Sequence, residues 1–253
     1  MPATGGRATP LLFLHGAYAA AWCWDERFLP YFASHGYASH ALSFSGHGGS
    51  PGHAQLDSFG IDRYVRDAAE VAAQLPAPPV LIGHSMGGMV AQKYLESHEA
   101  AGVVLLASVP PQGLWAAALG LAFRRPNLLY DLNRLLGGGQ PALDTLQAAM
   151  FAQPVDTADL VRWYKRMQPE SHRAIWDMTF FNLPLKSRMR LPPLLVLGAE
   201  RDNLIPTSQV DMTARHYGVT ADIFPDMGHG MMLERDWTRV ADRILRWLDE
   251  EGL

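Results

Sequence analysis

Gly83-His84-Ser85-Met86-Gly87-Gly88 is the most informative stretch of the chain. It separates an apolar run at 79–82, typical of a buried strand, from residues 89–96, which favour a helix. A G-x-S-x-G pattern between a strand and a helix indicates a nucleophile elbow, a turn so tight that the serine takes a strained backbone conformation. We expect a Cβ atom at Gly83 or Gly87 to collide with a neighbouring strand or helix. The turn lifts the Ser85 hydroxyl out of the sheet edge and places the Met86 N–H at a helix N-terminus, where negative charge is favoured.

The composition is that of one globular α/β domain with room for an insertion. The chain has 253 residues, of which 48% are hydrophobic and 18% charged. Its net charge of −4, without a basic patch, argues against nucleic acid or an anionic membrane as a partner. No apolar run is long enough for a transmembrane helix. Residues 1–10 lack the apolar core of a signal peptide, and the single cysteine, Cys23, excludes an internal disulfide, so we predict a cytoplasmic protein.

Strand-like and helix-like patterns alternate in two separate parts of the chain. Residues 1–109 and 192–253 show this alternation, which predicts a mostly parallel sheet of about six strands covered by helices on both faces. Ligands of such sheets bind beyond the carboxyl ends of the strands. From 110 to 191 the alternation is lost, and helix-like pieces rich in aromatic residues follow one another. We predict that residues 110–191 form a helical cap inserted into an α/β core.

A serine nucleophile needs a base to take its proton and an acid to orient that base. In elbow proteins the acid and then the histidine follow the serine along the chain. Here Asp202 follows an apolar run at 194–197, and His229 lies on a glycine-flanked loop after a run at 221–224. Both are expected at the strand ends where Ser85 lies. Glu200, two residues before Asp202, is the competing acid.

Five features in this order resemble the α/β-hydrolase family, in its serine esterase and lipase-like branch. They are His15-Gly16, the loop Gly46-His47-Gly48-Gly49-Ser50, the elbow, the Asp202 turn and the His229 loop. The resemblance covers nearly the whole chain outside 110–191. His15-Gly16-Ala17 followed by Ala21-Trp22-Cys23-Trp24 also resembles the compact plant methylesterase and hydroxynitrile-lyase branch, but Gly16 stands where those lyases carry a threonine, which argues against lyase activity.

The resemblance implies a role for each candidate residue. Ser85 is the expected nucleophile, His229 the base and Asp202 the acid, since its spacing from Gly198 matches the turn of the family better than that of Glu200 does. The backbone N–H groups of Ala17 and Met86 are the expected oxyanion hole. His15 and His84 are expected to pack beside the site, and His47 is given no chemical role. Trp22, Trp24 and Trp115 are the candidate substrate-binding residues.

The function predicted from the sequence is hydrolysis of a carboxylic ester with an apolar acyl group or a ring, through an acyl-enzyme and without a metal or organic cofactor. The same residues can serve carbon–carbon, thioester or amide hydrolysis, or perhydrolysis, because these reactions differ in the shape of the pocket. A ligand receptor on the same scaffold is a more remote alternative. The natural substrate, the oligomeric state and any motion of the cap are left open.

Overall fold

Six strands form one parallel sheet in the computed structural model, which describes residues 6–124, 130, 134, 139 and 142–253. The strands are β1 (Leu11–Leu14), β2 (Ser39–Leu42), β3 (Val80–His84), β4 (Gly102–Leu106), β5 (Leu194–Ala199) and β6 (Ala221–Phe224). They lie in the order β2-β1-β3-β4-β5-β6, and every neighbouring pair is parallel. The prediction of about six parallel strands is therefore confirmed. The order reverses between β1 and β3, the place in such sheets where ligands bind.

Helices cover both faces of the sheet. The core helices are α1 (Trp22–Asp25), α2 (Phe28–Ser34), α3 (Ile61–Ala72), α4 (Met86–Tyr94), α9 (Thr207–Tyr217) and α10 (Trp237–Glu250). Along β1 the side chains alternate between two apolar clusters, Leu11 and Phe13 in one and Leu12 and Leu14 in the other. The first cluster includes residues of α1, α2 and α10, and the second includes residues of α3, α4 and α9. Every residue of β1, β3 and β4 is buried, as coverage of both faces requires.

The chain between β4 and β5, called the β4–β5 segment below, is helical where it is described. It contains α5 (Trp115–Arg124), α6 (Leu143–Met150), α7 (Thr157–Arg166), α8 (His172–Trp176) and a π-helical turn (Asp177–Phe181). No strand occurs among its described residues. Parts of the predicted cap, at 125–129, 131–133, 135–138 and 140–141, lie outside the described residues, as do residues 1–5. The division into a core and a cap stays a prediction. In the described part of the chain no helix combines the length and the apolarity that a membrane span needs.

Candidate active site

Ser85 alone connects β3 to α4. Its φ of 53° and ψ of −116° lie in a strained region for a residue with a side chain. A Cβ on Gly83 would lie 2.4 Å from the Gly87 carbonyl oxygen, and a Cβ on Gly87 would lie 2.1 Å from the Leu14 carbonyl oxygen. The expected strain at Ser85 and the expected collisions with a neighbouring helix and strand are both confirmed. The close approach of β1, β3 and α4 thus depends on residues without side chains.

His229 is hydrogen-bonded to a buried carboxylate. Its Nδ1 lies 2.7 Å from Asp202 Oδ2, and both side chains are buried. The other carboxylate oxygen, Oδ1, accepts the N–H groups of Leu204 at 2.7 Å and Ile205 at 2.8 Å. Because Nδ1 donates to a carboxylate, Nε2 of a neutral His229 keeps the lone pair that can accept a proton.

The competing acid lies elsewhere. Glu200 is exposed, and its side chain accepts the N–H of Asp226 at 3.1 Å. The structure therefore brings Asp202, and not Glu200, to His229. Asp202 follows β5 and His229 follows β6, so the pairing of these neighbouring parallel strands carries the two residues to the same edge of the sheet.

Two further contacts hold the loop that carries His229. His84 Nε2 donates to the His229 carbonyl oxygen at 2.9 Å, and the two rings lie 4.6 Å apart. Burial, followed by the nearby His229, lowers the pKa of His84 well below its ordinary value, so His84 is neutral. On the other side, the N–H of Gly228 donates to the buried side chain of Glu234 at 2.7 Å.

The loop after β1 lies directly beside the elbow. A Cβ on Gly16 would lie 2.8 Å from His84 Nδ1 and 3.2 Å from Ser85 Cβ. Ala17, the next residue, lines the cavity into which Ser85 opens. Met86 begins α4, and the first N–H groups of a helix have no acceptor within the helix. The two predicted oxyanion donors thus flank Ser85 at the adjacent ends of β1 and β3.

Ser85 and His229 line one cavity of about 920 Å³. The wall is mainly apolar, and none of its described lining residues is Asp, Glu, Lys or Arg. Much of it comes from the β4–β5 segment, including Trp115, Leu146 and Trp163.

The three candidate tryptophans are placed differently. Trp22 and Trp115 line the cavity, whereas Trp24 does not. Trp24 is fully buried in the core, with its ring 5.1 Å from Phe13 and 5.6 Å from Phe28. Trp22 and Trp24 lie two residues apart on α1, and helical residues at that spacing point in opposite directions. The expectation that Trp24 contacts substrate does not fit this position.

Within the described residues, no three His, Cys, Asp or Glu side chains are grouped in a way that suits a metal ion. Near Ser85, His84 Nε2 is hydrogen-bonded to the His229 carbonyl oxygen, and His229 Nδ1 is hydrogen-bonded to Asp202.

The sequence model of the alpha/beta hydrolase family matches residues 11–243. The chain belongs to the alpha/beta hydrolase family. A non-heme haloperoxidase from Rhodococcus erythropolis is 26% identical to this hydrolase over 94% of this chain and 92% of its own. A pyrethroid hydrolase from Sphingobium wenxiniae is 31% identical, over 40% of this chain and 36% of its own.

Solved structures of the same fold include esterases and haloperoxidases. An esterase from Exiguobacterium antarcticum superposes with a TM-score of 0.74 at 19% identity, covering 96% of this hydrolase and 93% of the esterase. A bromoperoxidase from Bacillus anthracis superposes with a TM-score of 0.75 at 18% identity, covering 97% of this chain and 93% of its own. At such identities the likeness shows the shared fold.

Sequence reasoning missed two buried carboxylates of this hydrolase, Glu170 and Glu234, and gave no role to His47, which contacts the first of them. Glu234 also accepts the N–H groups of Ala152 at 2.7 Å and Gln153 at 3.3 Å, and so connects the β4–β5 segment to the His229 loop. Burial raises the pKa of Glu234, although these backbone hydrogen bonds oppose the rise. Only its position after the apolar run Met231-Met232-Leu233 marks Glu234 in the sequence, and no local pattern marks Glu170.

Proposed function

We propose that this hydrolase cleaves carboxylic esters with an apolar acyl group or a ring, using Ser85 as nucleophile, His229 as base and Asp202 as the orienting acid. One observation carries the proposal. The strained Ser85 and the His229 imidazole, whose Nδ1 is bonded to buried Asp202, line the same apolar cavity. A serine at an elbow with a bonded His–Asp pair is the arrangement that activates a hydroxyl for acyl transfer.

In the proposed mechanism, Ser85 Oγ attacks the ester carbonyl carbon while His229 Nε2 takes the hydroxyl proton. Asp202 holds the imidazole in the required tautomer and stabilises its cation. The N–H groups of Ala17 and Met86 receive the oxyanion of the tetrahedral intermediate, and the N-terminus of α4 adds its dipole. His229 then gives its proton to the leaving alcohol, and a water activated by His229 hydrolyses the acyl-enzyme.

The proposed substrate class follows from the cavity. Its volume of about 920 Å³ suits a ligand at the upper end of the usual size range for small-molecule sites. Because its described lining carries no Asp, Glu, Lys or Arg, a substrate with a formal charge next to the scissile bond would enter without an ion-pair partner of those types. We propose that the β4–β5 segment acts as the cap over this cavity, and that Trp22 and Trp115 contact the apolar part of the ester.

Perhydrolysis is the second candidate. It is favoured by the match to the haloperoxidase from Rhodococcus erythropolis, which extends over nearly all of both chains. In this reaction hydrogen peroxide takes the place of water and attacks the same acyl-enzyme, so that a peracid and free Ser85 result. Carbon–carbon, thioester and amide hydrolysis use the same residues and stay as alternatives. A ligand receptor is the more remote alternative.

Hydrolysis of p-nitrophenyl esters of increasing acyl length, by wild type and by Ser85→Ala, tests the proposal. We expect wild type to turn over and the variant to lose at least about 10⁴-fold in kcat, with a nearly unchanged melting temperature. Equal activity of the two proteins would contradict the role of Ser85. Perhydrolysis is measured by adding hydrogen peroxide and following the peracid through bromination of a dye. Release of peracid at a higher rate than release of carboxylic acid would favour the second candidate.

A folded wild type that hydrolyses none of the esters would contradict ester cleavage. Thioester, anilide and diketone substrates would then test the remaining bonds, and tight retention of an apolar ligand without turnover would indicate a receptor.

A further inference from the structure

A buried ion pair joins the β4–β5 segment to the core. His47 Nε2 lies 3.0 Å from Glu170 Oε2, and both side chains are completely buried. His47 belongs to the loop after β2, and Glu170 lies just before α8. Burying two charged groups is costly unless each has further hydrogen-bond partners, so their other contacts matter.

The hydrogen-bond partners of both groups match those of a charged pair. The two ring nitrogens of His47 face the Ser45 carbonyl oxygen at 3.1 Å and Glu170 Oε2 at 3.0 Å, an arrangement in which a protonated imidazole donates from both nitrogens. Glu170 Oε1 accepts from the Tyr64 hydroxyl at 2.9 Å and from the Ser171 N–H at 2.8 Å, which a carboxylate does best. Burial lowers the pKa of His47, but the hydrogen bond and the charge of Glu170, together with the Ser45 carbonyl group and Asp67, outweigh it, so this pKa lies above its ordinary value.

The same carboxylate reaches the loop that carries Ala17. The Tyr18 N–H donates to Glu170 Oε2 at 3.4 Å, and the Gln168 N–H donates to the Tyr18 carbonyl oxygen at 3.1 Å. Residues 168–170 thus bind both backbone polar groups of Tyr18. Tyr18 has a φ of 64°, a left-handed conformation that a residue with a side chain keeps only where its surroundings require it. The side chain of Gln168 extends this contact to the neighbouring loop, since it accepts from Gly48 N at 2.7 Å and donates to Gly46 O at 2.8 Å.

Fixing Tyr18 restricts the N–H of Ala17. The peptide group between Ala17 and Tyr18 is planar, so holding the Tyr18 N–H leaves only φ and ψ of Ala17 between that anchor and the Ala17 N–H. Oxyanion donors act through their preorganisation, because they must already point to where negative charge develops. We propose that Glu170, held by His47 and Tyr64, is a positioning residue that aims the Ala17 N–H into the oxyanion hole. This inference rests on the proposed function, in which Ala17 is an oxyanion donor.

Glu170→Gln tests the proposal. A glutamine amide has nearly the shape of a carboxylate, but it has one acceptor oxygen where both oxygens of Glu170 take part in hydrogen bonds. Glu26→Gln is the matched control. Glu26 also joins the core to the β4–β5 segment, through Arg162 at 2.6 Å and Arg166 at 3.0 Å, but these contacts do not involve Tyr18. We expect Glu170→Gln to lower kcat on the best p-nitrophenyl ester by about tenfold or more, with KM changed less than about threefold. We expect Glu26→Gln to stay within about twofold of wild type.

A comparison of esters with thionoesters distinguishes two effects of Glu170, orienting the Ala17 N–H and holding the β4–β5 segment on the core. A thiocarbonyl sulfur accepts hydrogen bonds weakly, so a working oxyanion hole favours the ester, and the ester-to-thionoester rate ratio should fall in Glu170→Gln but not in Glu26→Gln. If the ester-to-thionoester rate ratio of Glu170→Gln equals that of wild type, the proposal is overturned, even where kcat falls. Should Glu170→Gln fail to fold, Tyr64→Phe removes one hydrogen bond to the carboxylate, and a smaller fall in the same ratio is expected from it.

Hydrogen exchange gives a readout that does not need turnover. We expect the amide of Tyr18 to exchange faster in Glu170→Gln than in wild type or Glu26→Gln, because its acceptor is weakened. If wild type proves inactive on every ester while this exchange difference is observed, the proposed function fails and the anchoring of the loop stands. If wild type is active and neither the exchange nor the rate ratio changes, the inference fails and the proposed function stands.

Discussion

At the scale of single residues, the candidate site separates neutral from charged histidines. His15 Nε2 accepts the N–H of Phe44 at 3.1 Å, and burial together with the nearby His47 lowers the pKa of His15 to about 3. His84 is neutral as well, since burial lowers its pKa. The positive charge of His47 is paired with Glu170, so no unpaired histidine charge lies next to His229.

The two candidate acids, Asp202 and Glu200, allow a test at this scale. We expect Asp202→Asn to lower kcat by about 10⁴-fold, because an amide at this position no longer holds the imidazole in the base-competent tautomer. Glu200→Gln is the matched control, since Glu200 is exposed and its side chain bonds to the N–H of Asp226. The measurement is kcat on the best p-nitrophenyl ester for both variants. A larger loss in Glu200→Gln would assign the acid role to Glu200.

At the scale of secondary-structure elements, the elbow exists because three elements approach one another without intervening side chains. Gly83 packs against the Gly87 carbonyl group of α4, and Gly87 packs against the Leu14 carbonyl group of β1. The N–H of Ser85 donates to the carbonyl of Leu106, the last residue of β4, at 3.1 Å. The strain at Ser85 is thus maintained by packing on both sides, as backbone strain at functional sites requires.

Gly87→Ala tests this packing. The new Cβ would lie 2.1 Å from a backbone oxygen that cannot turn aside, so β1 and α4 must separate. We expect a loss of about 2–4 kcal/mol in the free energy of unfolding, which lowers the melting temperature by roughly 5–15 °C, and a loss of esterase activity.

Gly49→Ala provides the comparison for this variant, because a Cβ at Gly49 meets nothing within 4 Å. We expect it to stay within about 0.5 kcal/mol of wild type. Thermal unfolding followed by circular dichroism measures both variants. Equal melting temperatures for the two would show that the approach of β1 to α4 does not depend on Gly87.

At the scale of the whole molecule, the sheet and the β4–β5 segment contribute different properties to one cavity. The carboxyl ends of β1, β3, β5 and β6 lead directly into the loops that carry Ala17, Ser85, Asp202 and His229. Most of the apolar wall comes from the β4–β5 segment. Two buried carboxylates join these parts, Glu170 through its contact with His47 and Glu234 through its contact with the Ala152 N–H. We expect substitutions in the apolar wall away from Glu170 and Glu234 to change the substrate range without changing the proposed chemistry.

Ala149→Phe tests this separation. Ala149 is buried on α6 and lines the cavity, so a phenyl ring there takes up space next to the substrate. We expect the best acyl length in the p-nitrophenyl series to shorten, while kcat on the shortest ester changes less than about threefold. Ala148→Phe, the same change on the exposed side of α6, should leave the length profile unchanged. An unchanged profile in Ala149→Phe would show that the wall at α6 does not limit substrate size.

Local rules were enough to predict the elbow, the six-stranded parallel sheet and the positions of Asp202 and His229 after late strands. These features depend on residues close together in the sequence, such as Gly83, Ser85 and Gly87, whose turn only small residues can form. The roles of Trp22 and Trp24 depended on which side of α1 faces the cavity, and that follows from the packing of α1 on the sheet. The contact between His47 and Glu170 joins residues 123 positions apart. Contacts at such separations arise from the way the elements pack, because no short-range pattern specifies which buried groups meet.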